Sequence, residues 1–234
     1  MEKILTLLWR PEGQTPQSFA DTLLRKAAPR LRELGAARLK VCVEDDAVAA
    51  GAKLRMNPAG PPKAAMVGYW VDCAQDRGPL EAVLDEASAA LTSFLVVESV
   101  PTPNLAHPSP GNGARTEGFS QVTCIQPRAD LDYDEFIRIW HTEQRPCATE
   151  TQSTFGYVRN EIVRRLAGEA PPWAAVVEEL FPIGALDDPR VFYDAVGDEE
   201  KFRANLKRMV DTVQRFMDMA KVDVTAMSEY VFDA

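Results

Sequence analysis

The sequence predicts an α+β protein made of two successive units, each with the element order strand, helix, strand, strand, helix, strand. Short stretches with alternating apolar residues are typical of strands, and longer stretches have the 3.6-residue spacing of amphipathic helices. Phe19 and Pro29 of the first half recur as Phe136 and Pro146 in the second, each 117 residues further along the chain. A repeat of this length indicates an internal duplication rather than a solenoid.

The first unit covers residues 1–100. Gly35 ends its first helix, and Pro79 suits the first turn of its second helix, where a missing N–H costs nothing. The predicted elements are strand 3–9, helix 16–34, strand 38–44, strand 65–72, a helix opened by Gly78-Pro79, and strand 93–100.

The second unit covers residues 118–234 and follows a Pro-rich linker, residues 101–117. Its long final helix has Asp198 as the predicted N-cap, with Glu199 and Glu200 in the positive first turn. The predicted elements are strand 118–126, helix 133–147, strand 155–166, strand 173–182, the long helical region, and strand 222–232.

This element order is that of the ferredoxin-like unit, an antiparallel sheet with two helices on one face. The other face of such a sheet is bare, and two units can bury these faces against each other. We therefore expect the two units to form an intrachain α/β barrel of the kind otherwise made by two chains. Each half could hold a ligand cavity between its sheet and its helices, and the main polar cavity is expected within residues 118–234.

Composition and charge exclude several classes of protein. A net charge of −9 is unsuited to binding nucleic acid, which requires clustered Lys and Arg. No apolar stretch reaches the roughly 20 residues that cross a bilayer, and the sequence predicts a cytoplasmic protein. Only two histidines occur, and the four cysteines lack metal-binding or disulfide spacing, so we expect ordinary buried thiols and no metal site. The cysteines are Cys42, Cys73, Cys124 and Cys147.

The helix predicted over residues 133–147 has polar residues on its apolar face. Glu143 and Gln144 continue the helical spacing set by Phe136, Ile139 and Trp140. Pro146 is expected to end or kink this helix. Polar side chains on a buried face indicate a cavity.

The second half resembles a known family through several motifs. These are WHTEQRP beginning at Trp140, FGYVRN beginning at Phe155, a long helix beginning FYDAVGDEEKF, and VTAMSEY near the end. They resemble the EthD domain of the dimeric α/β-barrel superfamily, and the first half resembles a diverged second copy. The resemblance implies a small hydrophobic, often aromatic, ligand and chemistry without a cofactor.

One departure from the family motif concerns the helix. The family commonly has a histidine where this chain has Gln144, and an amide cannot exchange protons near neutral pH. The candidate catalytic residues are therefore His141, Glu143 and Tyr157. His141 could instead be a flanking surface residue, and Glu143 could bend into solvent near the helix end.

Further residues are candidates for binding the substrate. Tyr157 and Asn160 match the family's Tyr-x-x-Asn strand, but strand alternation sends them to opposite faces, with Arg159 on the face of Tyr157. Glu229 is mirrored by Glu98 in the first half, so it could serve a structural role in both. The candidates are Trp140, Gln144, Arg159, Asn160, Trp173 and Glu229.

Two classes of function fit these residues. The first is a cofactor-independent lyase, dehydratase or isomerase that transfers protons on a small hydrophobic, aromatic compound. The second is a non-catalytic small-molecule-binding or accessory protein of a catabolic pathway, which the missing family histidine favours. A homodimer of the two-unit chain is left open.

Overall fold

A computed structural model describes residues 1–58 and 60–232, and nine strands lie in these ranges. The first four belong to the first half and the last four to the second, with a two-residue strand between them. The strands are β1 (Glu2–Trp9), β2 (Ala37–Val43), β3 (Ala65–Val71), β4 (Ala90–Thr102), β5 (Ala114–Arg115), β6 (Phe119–Ile125), β7 (Gly156–Ala167), β8 (Ala175–Phe181) and β9 (Asp223–Val231).

The helices follow the predicted order, and most boundaries lie close to the predicted ones. Asp198 caps the last long helix as expected, since its carboxylate accepts a hydrogen bond from the backbone N–H of Lys201 at 2.9 Å. The α-helices are α1 (Pro16–Thr22), α2 (Ala28–Glu33), α3 (Gly78–Ala87), α4 (Tyr133–Ile139), α5 (Arg145–Thr151), α6 (Pro189–Phe192) and α7 (Glu199–Val213).

Eight antiparallel strands close into a barrel. Their order is β2-β3-β1-β4-β7-β8-β6-β9, and pairing of β9 with β2 closes the ring. Each half therefore contributes a four-stranded sheet, and the edge strands of one half pair with those of the other at β4–β7 and β2–β9. The predicted α+β fold, an intrachain barrel of the dimeric α/β-barrel type, is confirmed.

Strand alternation divides the side chains between the barrel interior and the outer, helix-covered face. The interior core combines residues of both halves, such as Leu5 and Met66 with Val122 and Val176. The outer faces form two separate cores, one in each half. Burying both bare faces in one interior removes the apolar surface that either sheet alone would expose to water.

A π-helical turn interrupts the first helix of each half at equivalent places. It covers Leu23–Ala27 in the first half and Trp140–Gln144 in the second, again 117 residues apart. A proline follows two residues later in both, at Pro29 and Pro146. Proline cannot donate the regular helical hydrogen bond, and the wider turn accommodates it. Of the two effects expected of Pro146, an end to the helix is wrong, because the helix continues to Thr151 after the irregular turn.

Three further features differ from the sequence prediction or add to it. A 3₁₀ helix, Asp46–Leu54, occupies part of an expected loop. A Cβ on Gly51 would lie 2.6 Å from that of Ala226, so glycine permits this helix to pack directly on β9. Cys73 is exposed, whereas the other three cysteines are buried as predicted. Within the described ranges, none of the helices combines the length and apolar character needed to cross a membrane.

Candidate functional site

A cavity of about 390 Å³ lies between the outer face of the second half-sheet and its helices. Strands β6 and β8 form its floor, and α7 and the π-helical turn of the preceding helix form its walls. The 3₁₀ helix of the first half adds Lys53 and Leu54. The first half thus completes a site built mainly from residues 118–234.

Glu179 on β8 is the buried carboxylate of this cavity. Strand alternation sends Glu178 into the barrel and Glu179 to the outer face, where it is 8% exposed. Within residues 1–58 and 60–232, the Glu179 side chain has no hydrogen-bond or ion-pair partner. Burial without a compensating charge disfavours the ionised form and raises the pKa of Glu179 to about 7. A carboxyl group with this pKa can both accept and release a proton near neutral pH.

Two neighbours flank Glu179 across the sheet. Tyr157 on β7 and Gln121 on β6 are its direct register partners. Side chains directly opposite each other on adjacent strands have Cβ atoms about 4.5–5.5 Å apart. Burial raises the pKa of Tyr157, and the nearby charge of Glu179 raises it further, so the phenol stays protonated. Tyr157, a predicted catalytic residue, therefore lies beside a carboxylate that was not among the predicted site residues.

Amide and hydroxyl groups of cavity residues have unused hydrogen-bonding capacity. Gln144 is buried at the end of the π-helical turn, and its Nε2 donates to the thioether sulfur of Met209 at 3.2 Å, a weak acceptor. In the described structure, Gln144 Oε1, Gln152 Oε1 and Thr123 Oγ1 are buried without a partner. Buried polar atoms are normally paired, so these groups are available to a ligand.

The remaining walls are apolar and adaptable. Phe192 and Tyr193 supply rings, and the thioethers come from Met56, Met209, Met217 and Met219. Methionine side chains are flexible and make favourable contacts with aromatic rings. Such walls suit a small hydrophobic compound, with Glu179 and the amides as the polar groups that orient it.

The other predicted catalytic residues lie outside this lining. His141 is partly buried, with Nε2 3.3 Å from Glu161 Oε1, and burial together with the charge of Arg159 lowers its pKa. Glu143 forms ion pairs with Arg138 at 3.0 Å and with Arg215.

Three predicted residues form a cluster next to the cavity. The Trp140 indole donates to the Tyr157 hydroxyl at 3.0 Å, and the Arg159 guanidinium lies 5.7 Å from the centre of the Trp140 ring. Arg159 also donates to Ser99 Oγ at 3.1 Å. Gln144 is thus the one predicted site residue that lines the second-half cavity.

Two predicted substrate-binding residues lie inside the barrel. Asn160 accepts a hydrogen bond from Lys3 at 2.7 Å and donates to Glu178 at 2.9 Å. Glu229 accepts from Thr116 at 2.9 Å and lies 3.6 Å from the Lys40 ammonium. Asn160 and Tyr157 lie on opposite faces of β7, as strand alternation predicts.

Trp173 lines a larger groove of about 1230 Å³ that both halves form. The groove is apolar around Trp9, but its more buried carboxylates already have cationic partners. Glu44 pairs with Arg55, and Asp223 pairs with Lys63. The smaller cavity is the better candidate for chemistry because its carboxylate has no such partner.

Glu179 could have been found in the sequence. Two adjacent glutamates interrupt the apolar stretch AAVVEELF, residues 174–181. In a strand buried on both faces, adjacent residues point to opposite sides, so both carboxylates must be buried. Both acids were therefore candidates, and the structure separates them: Glu178 pairs with Lys40, whereas Glu179 has no partner among the described residues.

No family model matches the chain, and no curated protein matches it, so its resemblance to EthD domains stays a prediction. Solved structures do match. An anthrone oxidase-like protein superimposes with a TM-score of 0.53 at 11% identity, covering 98% of this chain and 90% of that one. A candidate monooxygenase from Lactobacillus acidophilus gives 0.48 at 10% identity, covering 97% and 93%. The first similarity shows a shared fold.

Proposed function

We propose that this protein is a cofactor-independent enzyme that transfers a proton on a small hydrophobic compound bound in the second-half cavity. The observation that carries the proposal is the Glu179 carboxylate, which lies in a largely apolar cavity without a partner in the described structure. A buried, unpaired carboxylate destabilises a protein, so its presence in a cavity with unpaired amide oxygens favours a catalytic role.

Glu179 would act as the general base. Its pKa of about 7 leaves a substantial fraction ionised at neutral pH, yet makes it a stronger base than an exposed glutamate. It would remove a proton from a carbon next to a substrate carbonyl. The electron pair of the broken C–H bond then moves to the carbonyl oxygen and forms an enolate.

Gln144 would stabilise this enolate. Its amide N–H groups can exchange the weak contact with Met209 for a hydrogen bond to the developing negative charge. An amide retains this ability at any pH, so replacement of the family histidine by glutamine removes a proton carrier but keeps a donor. Proton transfer therefore rests on Glu179.

The apolar walls support an aromatic substrate, and one structural neighbour is described as anthrone oxidase-like. Anthrone is an enolisable aromatic ketone and a suitable probe. An enolate can isomerise, eliminate a leaving group or react with oxygen, so abstraction of the proton is the step common to the candidate reactions.

Deuterium exchange tests the proposal directly. Anthrone, 1-indanone and 2-tetralone are incubated anaerobically with the protein in D₂O, and mass spectrometry follows deuterium uptake at the enolisable carbon. We expect exchange by the wild type that falls by about 10²- to 10⁴-fold in Glu179→Gln, the usual contribution of a positioned base. Glu143→Gln is the matched control and should retain the wild-type rate, because Glu143 is ion-paired outside the cavity.

The alternative of a binding protein predicts a different result. A compound of the panel would bind, as measured by quenching of tryptophan fluorescence, but neither the wild type nor any variant would accelerate exchange. Equal exchange by the wild type and Glu179→Gln would contradict the assignment of the base.

A further inference from the structure

The buried charges of the barrel interior are divided unequally between the two halves. The lysines at the interface between the halves, Lys3, Lys40 and Lys63, all come from the first half. The second half supplies the carboxylates that they meet, Glu178, Asp223 and Glu229. The first half adds one carboxylate of its own, Glu98, which pairs with Lys3.

Each lysine contacts the other half directly. Lys40 pairs with Glu178 and lies 3.6 Å from Glu229. Lys3 donates to Asn160 at 2.7 Å and lies 3.8 Å from Glu178.

The third lysine makes the same kind of contact at another part of the interface. Lys63 is fully buried, pairs with Asp223 and donates to the Thr225 hydroxyl at 3.4 Å.

Cys42 also approaches Glu178 and Glu229, with its sulfur and one carboxylate oxygen of each glutamate within 4.8 Å of one another. The positive charge that neutralises these two carboxylates is the Lys40 ammonium.

Strand register shows what stands at the equivalent positions of the other half. In the first half β1 pairs with β3 and β4 in the same register as β6 pairs with β8 and β9 in the second. With the 117-residue offset of the repeat, Ser120 stands where the first half has Lys3. In the same way Val158 corresponds to Lys40, and Gly68 corresponds to Glu178.

These equivalences determine the interior of a barrel made from two like halves. Trp173 corresponds to Lys63, because the next residue, Ala174, donates to Ile125 as Ala64 donates to Leu8. Two second halves would bury Glu178, Asp223 and Glu229 twice over, with serine, valine and tryptophan at the lysine positions. Two first halves would bury the three lysines twice, with Glu98 as the carboxylate of the network. Either barrel would contain unpaired buried charges, which are among the costliest defects in a protein interior.

We propose that the buried lysines and carboxylates act as a recognition code that restricts each half-sheet to pairing with the unlike half. The recognition surface is the inner face of each sheet, cationic on the first half and anionic on the second. Its partner is the opposite half, from the same chain or from a second copy of it.

The electrostatics support such discrimination. Burial opposes the charge of Lys40, but the carboxylates of Glu178 and Glu229 outweigh this effect and raise its pKa. Burial likewise opposes ionisation of Glu178, whereas the ammonium groups of Lys40 and Lys3 outweigh it and lower its pKa. Lys40 and Glu178 therefore stay charged when unlike halves meet, because each has a partner of opposite charge from the other half. An apolar interface would stabilise the barrel but would not distinguish one half from the other.

A cleaved chain tests the code directly. A protease site is inserted between Leu105, which is 83% exposed, and Ala106, and the folded full-length protein is cut there. The nicked protein is unfolded in urea and refolded, and native mass spectrometry distinguishes mixed pairs from like pairs by mass. We expect the ratio of mixed to like pairs to be more than about tenfold higher than the ratio that random association would give. A random mixture of pairs would overturn the proposal.

An intact variant with neutralised charges provides the second measurement. It carries Lys40→Met, Lys63→Met, Glu178→Gln, Asp223→Asn and Glu229→Gln, and it leaves Lys3 with Glu98 and Asn160. Wild type and variant are refolded over a range of protein concentrations and separated by size-exclusion chromatography with light scattering. The wild type should return as one species, whereas the variant should form additional, concentration-dependent assemblies through pairing of like halves.

A matched control removes the same charges from the surface. It carries Lys201→Met, Lys207→Met, Glu150→Gln, Glu199→Gln and Asp211→Asn, and its net charge equals that of the neutralised variant. This control should refold as the wild type does. If the neutralised interior variant also refolds to the single wild-type species, the charges do not determine pairing and the proposal fails. The nicked wild type still decides the question if the neutralised variant does not fold.

Discussion

Tyr69 in β3 and Glu179 in β8 occupy equivalent positions in the two half-sheets, each facing the helices that cover its sheet. Ile4 and Gln121 are 117 residues apart and correspond in the repeat, and their direct register partners are Tyr69 and Glu179, respectively. Tyr69 is fully buried in the core of the first half. The small carboxylate at 179 leaves space instead, and Gln144 stands where the first half has Ala27. Exchange of a large ring for a carboxylate explains why this position opens into a cavity in the second half.

We expect Glu179→Tyr to close the cavity. The ring would fill the space as Tyr69 does in the first half, and a buried carboxylate would be removed at the same time. Binding of a compound identified with the ketone panel should weaken by more than about tenfold, measured by fluorescence quenching. Glu179→Gln preserves the cavity and serves as the control, so its affinity should change little. Retained binding by the tyrosine variant would place the ligand elsewhere.

Protein stability should depend on pH through Glu179. The folded-state pKa of about 7 lies above the ordinary value of 4.5, so the folded protein binds this proton more tightly than the unfolded chain. The group therefore lowers the free energy of unfolding progressively as pH rises from about 4.5 to about 7, and the loss is complete above that range. A shift of this size corresponds to about 3 kcal/mol.

Urea unfolding at several values between pH 5 and 8 checks this dependence. The wild type should lose stability relative to Glu179→Gln as the pH rises, because the amide does not titrate. Parallel pH profiles for the two proteins would show that Glu179 titrates normally and is not buried without a partner.

The sequence predicted the architecture better than the site. The barrel could be predicted from the alternating strands, the doubled element order and the 117-residue offset. These patterns show which faces of the elements must be buried. The site depends on how elements distant in the chain meet. Spacing on an ideal helix placed Glu143 near the apolar stripe, but a π-helical turn changes the direction of side chains there, and Glu143 pairs with Arg215 in the turn that follows α7. The 3₁₀ helix of the first half could not be assigned to a wall of the second-half cavity from sequence.

Gln144 should affect the rate more than the binding of substrate. Gln144→Leu keeps the size of the side chain but removes the donor that we assign to the enolate, so exchange should fall by about 10²- to 10³-fold. Affinity for the ketone should change much less, because the negative charge develops only after binding. Gln121→Leu, which changes the register partner of Glu179 on β6, is the comparison variant. An equal loss in both variants would indicate general disturbance of the cavity rather than stabilisation of the enolate by Gln144.

The Trp140–Tyr157 hydrogen bond should stabilise the fold and have little effect on proton abstraction. Tyr157 is about 1% exposed, and its hydroxyl accepts from the Trp140 indole at 3.0 Å. Tyr157→Phe leaves a buried N–H without an acceptor, which should cost about 1–3 kcal/mol in urea unfolding. Adding Trp140→Phe to Tyr157→Phe removes the donor that was left without an acceptor. A double-mutant cycle of these two substitutions therefore separates the contribution of the hydrogen bond from that of the lost indole ring.

The exchange rate of Tyr157→Phe should stay within about threefold of the wild type, since proton removal is assigned to Glu179. A fall of 10²-fold or more, with unchanged affinity, would instead make the phenol a catalytic residue, as Tyr157 was predicted to be from the sequence.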